Sequence, residues 1–258
     1  MAGPPPYRGF LIDADNTIFD YDRAEREALA GALADTGLEP TPAVLEAYRR
    51  INDGLWRAFE RGEVTQEELK VERFQRLLGE APGARRADAA EVSRRYLSML
   101  AAQSHLLPHA AAAIAGLAGR AVLGLATNGI PEVQNGRLER SGLARHFRAV
   151  LISGEIGIAK PDPRFFLLGV ERLGLAPADV LCVGDVPATD IRGARAAGMA
   201  SCWVAAAGAA WPPEEPGPDY TIRDLRALLA LSLPPGSHNS PFMVQEREYQ
   251  YHRSIPAS

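Results

Sequence analysis

The sequence predicts an α/β fold: a parallel sheet covered by helices on both faces and interrupted by an all-helical insertion. Three observations predict it. Short apolar runs recur along the chain, each followed closely by Gly, Asp, Asn or Ser. Amphipathic helical stretches separate the later runs, and a long stretch between the first and second runs contains no convincing strand. Strand–helix alternation of this kind builds a parallel sheet with helices on its faces.

The runs are Gly9–Ile12, Ala121–Ala126, Ala149–Ile152, Val180–Val183 and Ser201–Val204. They lack polar–apolar alternation and are too short for helices, so each reads as a strand buried on both faces. Between them, Pro131 opens a helix that Gly142 ends. Phe166, Val170 and Leu173 place an apolar stripe on the next helix, closed by Gly174. Asp190 is expected to cap a third, running to Gly198.

From Tyr21 to Gln103 the pattern is helical throughout. Thr41-Pro42 is a cap followed by a first-turn proline, and Thr65 with Glu68 forms a capping box. Leu69, Phe74, Leu77 and Leu78 supply a face to bury after it. Past the stiff loop Pro212–Pro218, a last short strand and helix reach Leu233, and the polar chain from Pro234 onward is expected to be a disordered tail. The expected division is a sheet core over 7–20 and 104–233, a helical cap over 21–103, and a tail over 234–258.

At 258 residues the chain is long enough for such a core with an insertion. With 47% hydrophobic and 23% charged residues it has the balance of a soluble globular protein. A net charge of −4 gives no reason to expect a nucleic acid polymer or an anionic membrane as partner. No apolar run approaches the roughly 20 residues that span a bilayer, and Met1–Tyr7 is Pro-rich without an apolar targeting segment. The two cysteines, Cys182 and Cys202, sit inside apolar runs and read as buried thiols, which suits a reducing, cytoplasmic setting. The five histidines form no ligand spacing.

Four polar clusters directly follow or closely trail four predicted strands: Asp13-Ala-Asp15-Asn-Thr17, Thr127-Asn128-Gly129, Lys160-Pro161, and Gly184-Asp185 with Asp190 downstream. Open parallel sheets bind ligands outside the carboxyl ends of their strands, so the clusters are expected to converge. Alone, each has a plain reading as a turn, a cap or a solvated lysine; together they do not. Asp13, Asp15, Asp185 and Asp190 gathered at one place need cations to neutralise them. A hard, oxygen-liganded ion such as Mg²⁺ fits, and Lys160 adds a fixed charge. Asn128, Gly129 and the helix start beside them offer donors to an anion. The parts suit a phosphate ester better than a neutral substrate.

The ordered set Asp-x-Asp-x-Thr, Thr-Asn-Gly, Lys-Pro and Gly-Asp-x-x-x-x-Asp resembles the haloacid dehalogenase-like hydrolases over roughly Tyr7 to Leu233. The resemblance implies a Rossmann-like core with an inserted all-helical cap. Phe10–Asp22, Gln134–Leu143, Ile152–Pro161, Val183–Gly198 and Leu55-Trp56 are similar to bacterial pyrimidine 5′-nucleotidases, although sugar-phosphate phosphatases share most of these phrases. Asn16 stands where many relatives have Gly or Glu.

The resemblance implies that Asp13 is a covalent nucleophile and Asp15 the general acid and base. Magnesium is expected on Asp13, the Asp15 main-chain carbonyl and Asp185, with Asp190 reaching it through water or holding Lys160. Thr127 and Lys160 are expected to orient the nucleophile and phosphoryl oxygens, with Asn128 and Gly129 binding substrate. The expected activity is removal of phosphate from a small-molecule phosphomonoester, a nucleoside monophosphate first and a sugar or glycolate phosphate second, by a monomer or homodimer. A phosphomutase, a dehalogenase and a non-enzymatic module are weaker alternatives. Asn52, Trp56, Phe59 and Arg73 in the cap are candidates for base contact, though Trp56 and Phe59 are also spaced to pack on one helical face.

Overall fold

The computed structural model describes residues 6–34, 36–80 and 87–234. Its sheet has six strands: β1 (Gly9–Ile12), β2 (Val122–Thr127), β3 (Ala149–Ile152), β4 (Val180–Gly184), β5 (Ala200–Val204) and β6 (Tyr220–Ile222). All pairings are parallel, in the order β3-β2-β1-β4-β5-β6. The order reverses direction at β1, which puts the crevice of a doubly wound sheet over the carboxyl ends of β1, β2 and β4. Gly9–Ile12 and Val180–Gly184 are buried along their whole length, as expected of central strands covered on both faces.

Four helices follow β1: α1 (Tyr21–Leu33), α2 (Pro42–Glu60), α3 (Gln66–Glu80) and α4 (Ala89–Ala102). Thr41 accepts from the Val44 amide with Pro42 in the first turn, and Thr65 and Glu68 exchange hydrogen bonds of 2.8 and 3.2 Å through each other's main-chain N–H. Their apolar faces, including Leu29, Tyr48, Leu55, Leu69, Phe74 and Tyr96, form one buried cluster separate from those on the two faces of the sheet. Ile130 and Val133 join that cluster and seat the helices on the chain after β2.

Around the sheet lie α5 (Ala110–Ala118), α6 (Pro131–Ser141), the short α7 (Ser153–Ile156), α8 (Pro163–Leu173) and α9 (Arg192–Ala196). Pro131 opens α6, and Gly142 and Gly174, both left-handed, close α6 and α8. A Cβ on Gly136 of α6 would lie 2.9 Å from the Ala101 carbonyl oxygen, so glycine is what lets α4 lie against α6.

Asp190 does not cap α9 as the sequence suggested. It lies inside a wide turn, Pro187–Ile191, and its carboxylate is taken up by Lys160 and the Val186 N–H. Cys182 and Cys202 are buried free thiols. Among the described residues no helix is long and apolar enough to cross a membrane. The tail expectation for 234–258 falls almost wholly outside the described residues.

Candidate active site

Each strand end delivers one part. Beyond β1, Asp13 remains tied to the sheet by its N–H, which donates to Val183 O at 2.8 Å. Three residues on, Asn16 takes a left-handed φ of 54°, a conformation asparagine tolerates better than most residues. It donates through Nδ2 to Asp22 Oδ1 at 3.0 Å and accepts from the Asp22 N–H at 3.3 Å. Asn16 thus clips the loop after β1 to the start of α1.

The Lys160 ammonium is buried and uses all three protons inside the protein: Asp13 Oδ1 at 2.6 Å, Asp190 Oδ1 at 2.6 Å and Ala126 O at 3.1 Å. Burial acts to lower its pKa, but Asp13 and Asp190 prevail and hold it above its ordinary value. Asn128 clamps this lysine from behind: its Nδ2 donates to Lys160 O and its Oδ1 accepts from the Lys160 N–H, both at 2.8 Å. The side chain expected to touch substrate thus places Lys160, and it also lines the cavity described below. Thr127 is buried at the end of β2 and accepts the Gly129 N–H at 3.0 Å, which commits that amide too. Lys160 thus presents a fixed positive charge to the site, its donors already engaged.

Asp13, Asp185 and Asp190 bring carboxylate oxygens within 4.8 Å of one another. Burial pushes the Asp13 carboxyl up to about 7; Lys160 opposes the rise, and Asp190 and Asp15 add to it. Asp185 is raised well above the carboxylate range by burial and then by Asp13 and Asp190, against Lys160. Its carboxylate accepts no hydrogen bond among the described residues, although its carbonyl takes the Trp203 indole N–H at 2.9 Å. Three carboxylates facing one lysine leave an excess of negative charge. That all-oxygen donor set with uncompensated charge fits a hard divalent cation, with Asp13 and Asp185 the free ligands and Asp190 committed to Lys160. Gly184 is required here, because a Cβ on it would lie only 2.6 Å from Asp190 Cβ, with the carboxyl group nearer still.

Asp15 is held apart from this cluster. Gln134 Nε2 donates to one of its oxygens at 2.7 Å, and Arg137, fully buried under the Phe19 ring, pairs with the other. Gln134 and Arg137 carry no motif that marks them as site residues; the only signal was their place in the stretch Gln134–Leu143 that resembles the nucleotidases. Their i, i+3 spacing puts both on one face of α6.

A cavity of about 250 Å³ opens over these groups. Its floor includes Asp13, Thr127, Lys160 and Asp185, and its other wall comes from α2 and α3 with Asn52, Asp53, Trp56, Glu60 and Arg73. Phe59, also expected near a base, packs edge-on against Trp56 at 5.6 Å and does not line it.

The family model for haloacid dehalogenase-like hydrolases matches residues 7–198. The HAD-hydrolase YfnB of Bacillus subtilis is 35% identical over 86% of this chain and 94% of its own. Its magnesium-bound crystal structure superposes with a TM-score of 0.80 at 34% identity, covering 88% of this chain and 98% of that one. Phosphoserine phosphatase of Thermus thermophilus is 43% identical over 60% of this chain and 61% of its own, and pyrimidine 5′-nucleotidase PynA of Streptococcus pneumoniae 34% over 76% and 83%. With the four motifs gathered at one site, a family model matching residues 7–198 and a relative 35% identical over 86% of the chain, this chain is a member of the haloacid dehalogenase-like hydrolase family.

Proposed function

We propose that this enzyme is a magnesium-dependent phosphomonoester hydrolase that releases phosphate from nucleoside 5′-monophosphates, pyrimidine ones first. The observation that carries the reading is the single cavity that joins Asp13 and Lys160 to an aromatic and amide wall from α2 and α3. Residues 7–20 and 104–233 act as the catalytic core, and 21–103 as the cap that meets the leaving group. The buried free thiols suit a cytoplasmic setting.

Asp13 attacks phosphorus in line through a carboxylate oxygen, an aspartyl-phosphate forms, and the bond to the ester oxygen breaks. Asp15 gives its proton to the departing alkoxide, then takes one from the water that attacks the aspartyl-phosphate, which frees phosphate and regenerates Asp13. Gln134 and Arg137 keep Asp15 at a fixed place through both steps. Lys160 holds Asp13 in position and offsets charge on the phosphoryl oxygens, with Thr127 beside it. When bound by Asp13, Asp185 and the Asp15 main-chain carbonyl, Mg²⁺ supplies the charge that keeps Asp13 ionised and receives phosphoryl oxygens. Without that charge, burial leaves Asp13 only partly ionised near pH 7.

Asp53 and Glu60 on the cap side favour a leaving group without a second anionic group, as in a nucleoside. The likeness to a phosphoserine phosphatase favours a small phosphoester as the second reading. A phosphate-release panel with Mg²⁺ decides between them. UMP, dUMP and dTMP are expected to exceed phosphoserine and sugar phosphates in kcat/KM, and Asp13→Asn to abolish all turnover. Preference for phosphoserine or sugar phosphates removes the nucleotidase reading, and turnover by Asp13→Asn removes the covalent mechanism.

A further inference from the structure

The cavity wall from α2 and α3 holds a buried pair with no part in the chemistry above. Arg73, 1% exposed, donates from Nη1 to Asn52 Oδ1 at 3.2 Å. Its guanidinium is fixed over the rings of Tyr96 and Phe74, at 4.7 and 5.3 Å from their centroids. A guanidinium carries donors only, so this bond settles which way the Asn52 amide faces: oxygen to Arg73, nitrogen away from it.

Asn52 Nδ2 has no hydrogen-bond partner among the described residues. It is also absent from the fully buried orphan atoms, which include Arg73 Nε and Nη2, so it borders open space. Asn52 lines the cavity over Asp13, and we take the open side of its amide to be the side facing that cavity. A donor left unpaired there, on a residue only 4% exposed, calls for an acceptor from the ligand. Trp56 contributes an aromatic surface to the same cavity and Leu100 and Val133 an apolar one, whereas Asp53 and Glu60 disfavour an anion.

We propose that Asn52 is the specificity donor of this site, its Nδ2 reading a carbonyl oxygen on a flat, uncharged pyrimidine base, and that Arg73 is a positioning residue that locks the amide. The inference rests on the nucleotidase reading and names the group that would make it selective. The readout is the ratio of kcat/KM for UMP to that for ribose 5-phosphate, which keeps the phosphate and sugar but lacks the carbonyl. Asn52→Ala lowers the ratio roughly 10–100-fold, mainly through KM for UMP, as the loss of one buried hydrogen bond implies.

Asn52→Asp lowers it at least as far, because an acceptor then faces an acceptor. Arg73→Leu, which frees the amide to turn, moves the ratio in the same direction, and Arg73→Lys restores part of it. A ratio within about threefold of wild type in both Asn52 variants overturns the proposal while leaving a wild-type nucleotide preference intact. A wild-type enzyme with no preference for UMP over ribose 5-phosphate overturns the nucleotidase reading and the proposal with it.

Discussion

Lys160→Met tests the charge balance of the site most directly. The substitution keeps an unbranched chain of similar length and removes the only ammonium facing Asp13 and Asp190, each 2.6 Å from it. Both carboxylates are buried and would be left without that partner, a change that costs about 3–5 kcal/mol when one side of a buried ion pair is deleted. For a chain of this size that lowers Tm by roughly 6–20 °C.

The loss should depend on pH. Asp13 already titrates at about 7 with the lysine present, and removing the lysine removes what opposes its rise. Near pH 6 the carboxyl is protonated in both proteins and part of the deficit disappears; near pH 8 the wild-type carboxyl ionises beside its lysine while the stranded one resists ionisation, so the deficit is larger. Urea unfolding of metal-free wild type and variant at the two pH values measures both, and Mg²⁺ should recover part of the deficit by binding the same carboxylates. A deficit below about 1 kcal/mol at pH 8, or one equal at pH 6 and 8, refutes the argument that Lys160 neutralises this cluster.

Glu25, buried on α1, has its carboxyl pushed up to about 7 by burial against the pull of Tyr21 and Arg49. Its folded pKa lies above the unfolded value, so it should cost up to about 3 kcal/mol as pH rises from 4 to beyond 7. Glu25→Gln should flatten the fall in unfolding free energy over that window, and an unchanged slope would rule this out. Gly184→Ala should displace Asp190 and through it Lys160, lowering kcat well beyond tenfold and stability by about 1–3 kcal/mol; full activity would show that Asp190 tolerates movement. Arg137→Met should lower kcat for every phosphomonoester by about 10²-fold with little change in KM, because it frees Asp15 and touches no leaving group. A loss confined to nucleotides would place Arg137 in recognition instead.

The strands were legible because being buried on both faces demands uninterrupted apolar residues, and β1 and β3 begin and end where the runs do. Asp13 and Asp185 were legible because each lies at a strand end, so sheet topology brings them together. Lys160 and Asp190 sit eight and six residues beyond theirs and are drawn in by the loops that follow β3 and β4. What failed were local readings of residues whose partners are remote. Asp190 has the sequence setting of a helix cap, yet an ammonium 30 positions earlier outcompetes a backbone N–H for its carboxylate. Asn128, expected as an anion donor, carries a second task the local sequence did not announce: its amide matches the Lys160 backbone in two bonds. Gln134 and Arg137 act on Asp15 across 119 and 122 positions, a distance that no periodicity spans.

Two separable demands shape this chain. The sheet gathers acidic groups whose repulsion has value only if a cation and a phosphoryl group come to share them, and Lys160 offsets too little of that charge by itself. This part is indifferent to what the phosphate is attached to, which is why relatives named for phosphoserine and for pyrimidine nucleotides both resemble it. In the proposed reading the choice of leaving group falls to α2 and α3, where buried Arg73 holds the Asn52 amide in one orientation with two of its own nitrogens unpaired. The guanidinium at position 73 lies against Phe74 and Tyr96 and also offsets the buried Glu25 carboxylate. Under the proposal above, Arg73 places substrate choice at Asn52 while the chemistry at Asp13 is left unchanged.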